Sequence, residues 1–287
     1  MEKIPIRHIA SATREQINTG CFSIRKVEDI LKGKDLQHGL HRHNFFFILF
    51  LRTGKGLHEI DFETHPVTDK CVFLLRPGQV HQLQLKAGAT GYLLEFDTEF
   101  YHPANKSSAL RLQKASSKAH CPLETGRFEK LNTLLTMIFD EYLCKEDGYR
   151  DAIRASLEIF YIELVRQSLD PKSTSINGGF YTQDRFDEFV NLLETHFITH
   201  KQVSQYTGLM NLSSYQLNEI TKTAVGKTAS ALIDEYILLE AKRYLLATHD
   251  QVKEIADHLG YEDPSYFIRF FKKHTGLSPE TFRKNFK

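Results

Sequence analysis

Apolar positions follow two different periods along the chain, and the period changes near residue 100. Up to Asp97 the apolar residues form short runs separated by Gly, Pro and charged residues. Short runs bounded by turn residues predict strands, and several of them at this spacing indicate a sandwich or barrel. The predicted strands are Phe22–Val27, Phe45–Leu51, Leu57–Phe62, Cys71–Leu75, Leu83–Leu85 and Tyr92–Phe96.

Between Arg127 and Ser168 the apolar residues recur at steps of three and four, which predicts two amphipathic helices. Their narrow, heptad-like seams lead us to expect a dimer interface in this segment. Each seam covers about two heptads and could equally pack the two helices together or onto the barrel. The seam residues are Phe128, Leu131, Leu135, Ile138 and Tyr142 in the first helix and Ile153, Leu157, Phe160 and Leu164 in the second.

A segment rich in Pro, Gly and Ser follows, and beyond about Thr182 the pattern is that of helices and turns. We therefore predict an α+β protein of two domains joined by a linker at residues 170–182. Residues 1–169 are predicted to form a β-barrel with two helices, and residues 183–287 an all-α domain.

The all-α region contains an internal repeat with an offset of 50 residues, which indicates two copies of one structural unit. Val203 and Val252 stand one residue out of this register, as a turn of different length would explain. The pairs in register are Leu217 with Phe267, Ile220 with Phe270, Lys222 with Lys272, Gly226 with Gly276, Thr228 with Ser278 and Leu232 with Phe282.

The second copy predicts two helices separated by a turn that contains glycine. Gly260 ends the first helix, Asp263 caps the second, and Pro264 occupies a first position where a missing N–H is harmless. The inner face of the second helix is aromatic. Its outer face consists of Ser265, Ile268, Arg269 and Lys272. This is the helix-turn-helix pattern, in which the outer face of the second helix enters the major groove of DNA.

A predicted helix from Ala229 to Thr248 connects the two copies. Twenty residues of helix span about 30 Å, and successive major grooves on one face of DNA lie about 34 Å apart. The connecting helix is therefore long enough to hold two recognition helices in adjacent grooves.

Over Val203–Lys287 the sequence resembles the AraC-type transcriptional regulators. The resemblance rests on three stretches, which are Glu254–Tyr261, Ser265–Lys272 and Thr275–Arg283. It implies that Ser265, Ile268 and Arg269 approach bases or the flanking backbone. In the first copy it implies the same role for Ser214, Tyr215, Asn218 and Glu219, with Lys222 near phosphate.

The first copy departs from this pattern at two positions. Thr221 stands where the second copy has Phe271, so we expect a weaker aromatic core. Glu219 stands where the second copy has Arg269, and it would either accept a hydrogen bond from cytosine N4 or repel phosphate.

Histidines in the predicted barrel suggest a second site. His41-Arg-His43 opens the strand that contains Phe45, and His81 follows another strand, which resembles a cupin barrel such as many AraC-type regulators carry. Histidines at i and i+2 point the same way, so His41 and His43 with a third histidine could complete a metal face. The stretch after His43 contains no carboxylate, unlike that of cupin enzymes, and we predict no metal and no cofactor.

The same barrel is expected to bind a small polar or amphipathic effector near His43 and His81. Phe45 and Phe47 are expected to alternate onto the face of His43, which would give apolar walls with polar groups at the mouth. The alternative is that these phenylalanines only fill the barrel.

Composition narrows the class of protein. The net charge is +1, but residues 264–287 carry six Lys or Arg against one acid, which is compatible with a DNA footprint of limited extent or with a solvated C-terminal tail. The four cysteines are widely separated, which argues against zinc ribbons and redox motifs and fits a reducing cytosol. There is no signal-peptide pattern, and the longest apolar run of seven residues is far below the roughly 20 needed to cross a bilayer. We therefore expect a cytoplasmic protein that does not contact membranes.

These observations together predict a transcriptional regulator and not an enzyme. It would bind a double-stranded DNA operator as a homodimer, respond to a small-molecule effector, and contact RNA polymerase if it is an activator. One alternative is a metal-dependent cupin enzyme, against which the missing carboxylate and the C-terminal resemblance argue. The other is a constitutive DNA-binding protein whose barrel only dimerises.

Overall fold

The computed structural model describes residues 6–7, 9, 20–168 and 178–285. These residues divide into two compact units. The barrel unit comprises the described residues up to 168, and the helical unit comprises residues 178–285. The predicted fold class is confirmed, with a β-rich first unit and an all-helical second unit.

The described strands of the barrel unit form two five-stranded sheets. The strands are β1 (Ile6–Arg7), β2 (Phe22–Lys26), β3 (Leu36–His43), β4 (Phe46–Thr53), β5 (Gly56–Ile60), β6 (Glu63–Val67), β7 (Cys71–Leu75), β8 (Val80–Leu85), β9 (Thr90–Phe96) and β10 (His120–Pro122). The first sheet has the order β1-β3-β8-β5-β6 and the second the order β10-β7-β4-β9-β2. Pairing is antiparallel except between β1 and β3.

Strand β4 is buried on both faces, which explains its unbroken apolar run. Phe47 and Leu49 belong to the core that lies between the sheets, whereas Phe46 and Ile48 belong to a second core under the helices. This alternation follows from the two-residue period of a strand.

The helices of the barrel unit are α1 (Val27–Leu31), α2 (Lys106–Ser116), α3 (Thr125–Cys144) and α4 (Tyr149–Ser168). The two predicted helices correspond to α3 and α4. The shorter α1 and α2 are additional to the sequence prediction. Helix α2 begins where the Asn105 side chain accepts a hydrogen bond from the Ser108 amide at 3.0 Å.

The apolar seams of α3 and α4 are buried within the chain, which is the alternative that the sequence left open, and a dimer interface on these two helices stays a prediction. Both seams pack against each other and against the outer face of the second sheet. Phe128 and Leu157 are completely buried there, and the Phe128 ring stacks on Phe50 with centroids 4.8 Å apart. The physical reason is that the sheet would otherwise expose a whole row of apolar side chains, each worth about 1.5–3 kcal/mol when buried.

The strand that carries the histidine pair is also different from the prediction. His41 and His43 do not open the strand of Phe45; they end the separate strand β3. Strand β3 lacks an apolar run, because its residues up to Leu40 are exposed or half-buried. Strands β6 and β10 also lack an apolar run, so the sequence pattern does not predict them.

The helices of the helical unit are α5 (Gly178–His196), α6 (Val203–Met210), α7 (Ser214–Val225), α8 (Ala229–Ala247), α9 (Val252–His258), α10 (Pro264–Thr275) and α11 (Pro279–Asn285). Residues 170–177 of the predicted linker at 170–182 lie outside the described residues. Its last five residues, 178–182, are helical and belong to α5.

Two copies of one local pattern account for the sequence repeat. We call α6 and α7 the first repeat and α9 and α10 the second repeat. Ser213 and Asp263 cap α7 and α10 by accepting backbone N–H groups at 3.2 and 2.8 Å. Gly226 and Gly276 end the same helices in the left-handed conformation, with φ of 74° and 75°. These caps fix the length of each second helix.

The register shift between the copies comes from the turn. In the first repeat the left-handed residue is Asn211, two positions before the cap Ser213. In the second repeat it is Gly260, three positions before Asp263. The extra residue therefore lies between the two helices of the second repeat, as the sequence predicts.

Helix α8 packs against both repeats. Ile233 and Ile237 share a core with Leu217 of the first repeat, and Phe270 of the second repeat packs against the same core. The guanidinium of Arg283 on α11 donates hydrogen bonds to the carbonyls of Leu245 and Asp250, at 2.9 and 2.8 Å. These hydrogen bonds join α11 to the C-terminal end of α8 and to the loop that precedes α9.

None of the helices in the described residues combines the length and the hydropathy that a bilayer span requires.

Gly260 and Gly276 provide a matched test of how closely the second repeat packs. Both have a positive φ, of 73° and 75°, so alanine costs about 1–2 kcal/mol of backbone strain at either position. A Cβ at Gly260 would also lie 1.9 Å from the Ile198 carbonyl oxygen, whereas nothing lies within 4 Å at Gly276. We expect Gly260→Ala to lower the free energy of unfolding in urea by about 1–3 kcal/mol more than Gly276→Ala. Equal losses would show that this close approach is not needed.

Candidate functional site

The predicted outer face of α10 lies in solvent. Phe267 and Phe271 on the opposite side are completely buried. The four predicted residues, Ser265, Ile268, Arg269 and Lys272, are all exposed. One helix therefore presents a hydroxyl, an aliphatic group and two cations on the side that faces away from the core.

Tyr266 also lies on this surface, although the sequence analysis did not include it among the DNA-binding residues. It is 64% exposed, and the Arg269 guanidinium lies over its ring at 4.5 Å from the centroid. A cation over an aromatic ring is stabilised by the ring quadrupole, so Tyr266 holds the Arg269 side chain in a defined position. An exposed aromatic three positions before an arginine was the available signal.

In the first repeat the predicted residues divide into two groups. Ser214, Tyr215, Glu219 and Lys222 are exposed on α7. Asn218 is half-buried, its Nδ2 donates to the Ser214 carbonyl at 3.0 Å, and its Oδ1 accepts from the Ala229 amide at 3.0 Å. Asn218 therefore binds the N–H group of the first residue of α8. This contact joins residues eleven positions apart, so the local sequence pattern does not predict it.

The small side chain of Thr221 changes which element fills the core of the first repeat. Thr221 is fully buried, and its hydroxyl donates to the Asn218 carbonyl at 3.2 Å. The aromatic contribution comes from α5, where the Phe189 ring packs edge-on against Tyr206 at 5.5 Å. The first repeat therefore relies on α5 where the second relies on Phe271.

The barrel unit contains a cluster of buried histidines. His41 and His43 on β3, His81 on β8 and His58 on β5 are all at most 5% exposed. The Nε2 atoms of His43 and His81 are 2.6 Å apart, and His81 Nδ1 is 2.8 Å from His58 Nε2. The rings of Phe45 and Phe47 lie against His43, with centroids at 4.3 and 5.3 Å.

Burial keeps His58 and His81 of this cluster uncharged. Burial lowers the pKa of His58 to about 3 and the pKa of His81 well below its ordinary value, and the neighbouring histidines lower both further. Both rings are therefore neutral near pH 7 and act as hydrogen-bonding groups or ligands. Ring nitrogens of His41, His43 and His81 lie within 4.8 Å of one another, close enough for one metal ion.

A cavity of about 240 Å³ adjoins the histidines. Its walls are mostly aliphatic, from residues such as Leu49 and Leu83. Its polar lining residues are Arg25, His38, His41, His43 and Glu95. His43 and Phe47 of the predicted ligand residues line it, whereas Phe45 and His81 do not.

Charged groups at the cavity are already paired with each other. The Arg25 guanidinium donates to Glu95 at 2.8 Å, and Glu95 is 7% exposed. The Arg25 Nε atom is buried and has no hydrogen-bond partner among the described residues. The cavity therefore combines aliphatic walls with the paired charges of Arg25 and Glu95.

Two family models match the chain. The AraC-like ligand-binding domain matches residues 32–137, which include most of the residues that line the cavity, and a helix-turn-helix domain matches residues 206–285. Together they cover more than half of the chain. The chain therefore belongs to the AraC-type transcriptional regulators, and the resemblance found in the sequence is confirmed.

Curated relatives agree with this class. The chain is 22% identical over 257 residues to the uncharacterized HTH-type transcriptional regulator YfiF of Bacillus subtilis, covering 86% of this chain and 79% of YfiF. It is 22% identical over 247 residues to the HTH-type transcriptional activator RhaS of Escherichia fergusonii, covering 85% and 87%. The protein is thus a DNA-binding transcriptional regulator with an N-terminal ligand-binding domain.

Asn218 is expected to act through stability. Asn218→Ala removes the acceptor of the Ala229 amide, whereas the Thr228 hydroxyl still caps α8 by accepting from the Ala231 amide. The loss of the Ala229 hydrogen bond should cost about 0.5–1.5 kcal/mol. Asn218→Asp keeps the acceptor oxygen and serves as the matched control. Urea unfolding of the full chain measures the difference. If the alanine variant is as stable as the wild type, Asn218 does not act through stability, and a direct contact with DNA becomes the better explanation of its role.

Proposed function

We propose that this regulator reads its operator mainly through the outer face of α10 and is controlled by a small molecule bound in the barrel cavity. The observation that carries the first half is the exposure of Arg269 beside Tyr266 on an otherwise well-anchored helix. Arginine to guanine is the commonest specific contact in the major groove.

The remaining residues have graded roles in this proposal. Ser265 and Ile268 flank Arg269 and contact bases or sugars, while Lys272 and Lys222 contact phosphates. In the first repeat, Ser214, Tyr215 and Glu219 approach DNA, and Asn218 supports them from within the fold. The first repeat therefore contributes less positive charge and less affinity than the second.

The effector is proposed to occupy the 240 Å³ cavity, with His43 and Phe47 in contact and with Phe45 and His81 supporting them from behind. The cavity lies below the usual range of about 300–1,000 Å³ for drug-sized ligands, so the effector is small. Its apolar body would lie on the leucines, and a polar end would lie near the paired side chains of Arg25 and Glu95.

Effector and operator are coupled if the effector prefers one of two states of the protein. We assign sensing and dimerisation to residues 1–169, linkage to 170–182 and DNA binding to 183–287. The working form is a cytoplasmic homodimer without enzymatic activity, and as an activator it would also contact RNA polymerase. Its dimer surface does not include the apolar seams of α3 and α4, because these seams are buried against each other and against the second sheet.

Arg269→Ala should weaken binding to the specific operator by about 1–3 kcal/mol, because a bidentate contact to guanine is lost. Arg269→Lys keeps the charge but not the planar fork, so it should lose specificity while it retains binding to random DNA. Lys118→Ala, which removes a cation from the exposed surface of the barrel unit, is the control. Affinities are measured at one fixed salt concentration.

Unchanged specific affinity of a correctly folded Arg269→Ala protein would remove α10 from the base-reading role.

A cavity-filling pair tests the sensor site. Leu83→Trp puts an indole into the cavity, whereas Leu57→Trp adds the same group at a position that is 48% exposed. In a thermal-shift screen of small amphipathic metabolites, a true effector at 100 times its Kd should stabilise wild type and Leu57→Trp by about 2.7 kcal/mol. It should not stabilise Leu83→Trp, and it should change operator affinity of the wild type.

Hits that stabilise Leu83→Trp as much as wild type would place the effector outside this cavity.

A further inference from the structure

Three histidines from two paired strands converge inside the barrel unit. His41 and His43 come from β3, and His81 on β8 is the direct cross-strand partner of His41. Their exposed fractions are 1%, 5% and 1%, and one ring nitrogen of each lies within 4.8 Å of the others. Three buried imidazoles therefore bring their ring nitrogens close together.

The hydrogen bonds around the cluster orient two of the rings. His41 Nδ1 is 2.7 Å from the Gly39 carbonyl oxygen, which can only accept, so this nitrogen donates and the neutral ring keeps its lone pair on Nε2. His81 Nδ1 is 2.8 Å from His58 Nε2. His81 Nε2 points at His43 Nε2. Metal-bound histidines use their second nitrogen in this way, on a carbonyl or another polar group.

We propose that His41, His43 and His81 bind one divalent ion of the zinc class, with Gly39 and His58 orienting the ligands from behind. Imidazole suits Zn²⁺, Cu²⁺ and Ni²⁺, whereas Mg²⁺ and Ca²⁺ require oxygen ligands. Three histidines with an open fourth position form a complete zinc site without a carboxylate. The missing carboxylate after His43 therefore does not exclude this ion.

The cluster borders the cavity, because His41 and His43 also line it. The fourth coordination position is thus available to water or to a bound molecule. Metal binding itself does not rest on the proposed regulation, since it is measured without DNA or effector.

The test uses the full chain without a histidine tag, stripped by a chelator and titrated with Zn²⁺ against a chromogenic competitor. One equivalent is expected to bind, and His43→Gln or His81→Gln should weaken it at least 100-fold. His58→Gln should weaken it by about 10- to 100-fold, as loss of a group that orients a ligand does. His102→Gln, which changes an exposed histidine, should leave the affinity unchanged.

A second measurement needs no variant. Co²⁺ bound to the wild-type protein should shift the NMR resonances of the ring protons of His41, His43 and His81. Substoichiometric Zn²⁺ binding, equal affinity in His43→Gln and His102→Gln, or shifted resonances from other histidines would each overturn the proposal. Any of these results would leave the cluster as a chain of hydrogen bonds, and effector binding would be judged separately by the cavity variants.

Discussion

The packing of both repeats against one helix, α8, is the constraint on which the DNA-binding half depends. Ile233 and Ile237 of α8 share a core with Leu217 of the first repeat, and Phe270 of the second repeat packs against the same core. Because both repeats pack against the same helix, we expect their exposed faces to keep a fixed separation. This separation would set the spacing of the DNA grooves that the protein can contact.

The barrel unit solves a related problem with two cores. Its second sheet is apolar on both faces, so one face closes the barrel and the other requires the cover of α3 and α4. The helices are therefore structural parts of the barrel unit. Helices α3 and α4 cover the outer face of the second sheet. The cavity and the histidine cluster lie on its inner side, between the two sheets.

Periodicity predicted the elements with strong amphipathic patterns and missed those without them. The apolar run of β7 (Cys71–Leu75) and the capped helix α10 are where the sequence places them. Strand β3 was missed because it lacks an apolar run and its buried residues are His41 and His43. The tertiary roles of Asn218 and Tyr266 depend on contacts across turns, and a helix seam does not show whether its partner is a second chain or the chain's own sheet.

The most direct test of the fixed separation is a hydroxyl-radical footprint on a binding site selected from random DNA. Helix α8 has 19 residues and spans about 28 Å, close to the roughly 34 Å between successive major grooves. Each protomer should protect two patches on one face of the duplex, about 10–10.5 base pairs apart. A single protected patch per protomer, or two patches whose spacing varies among selected sites, would contradict a rigid pair of repeats held by α8.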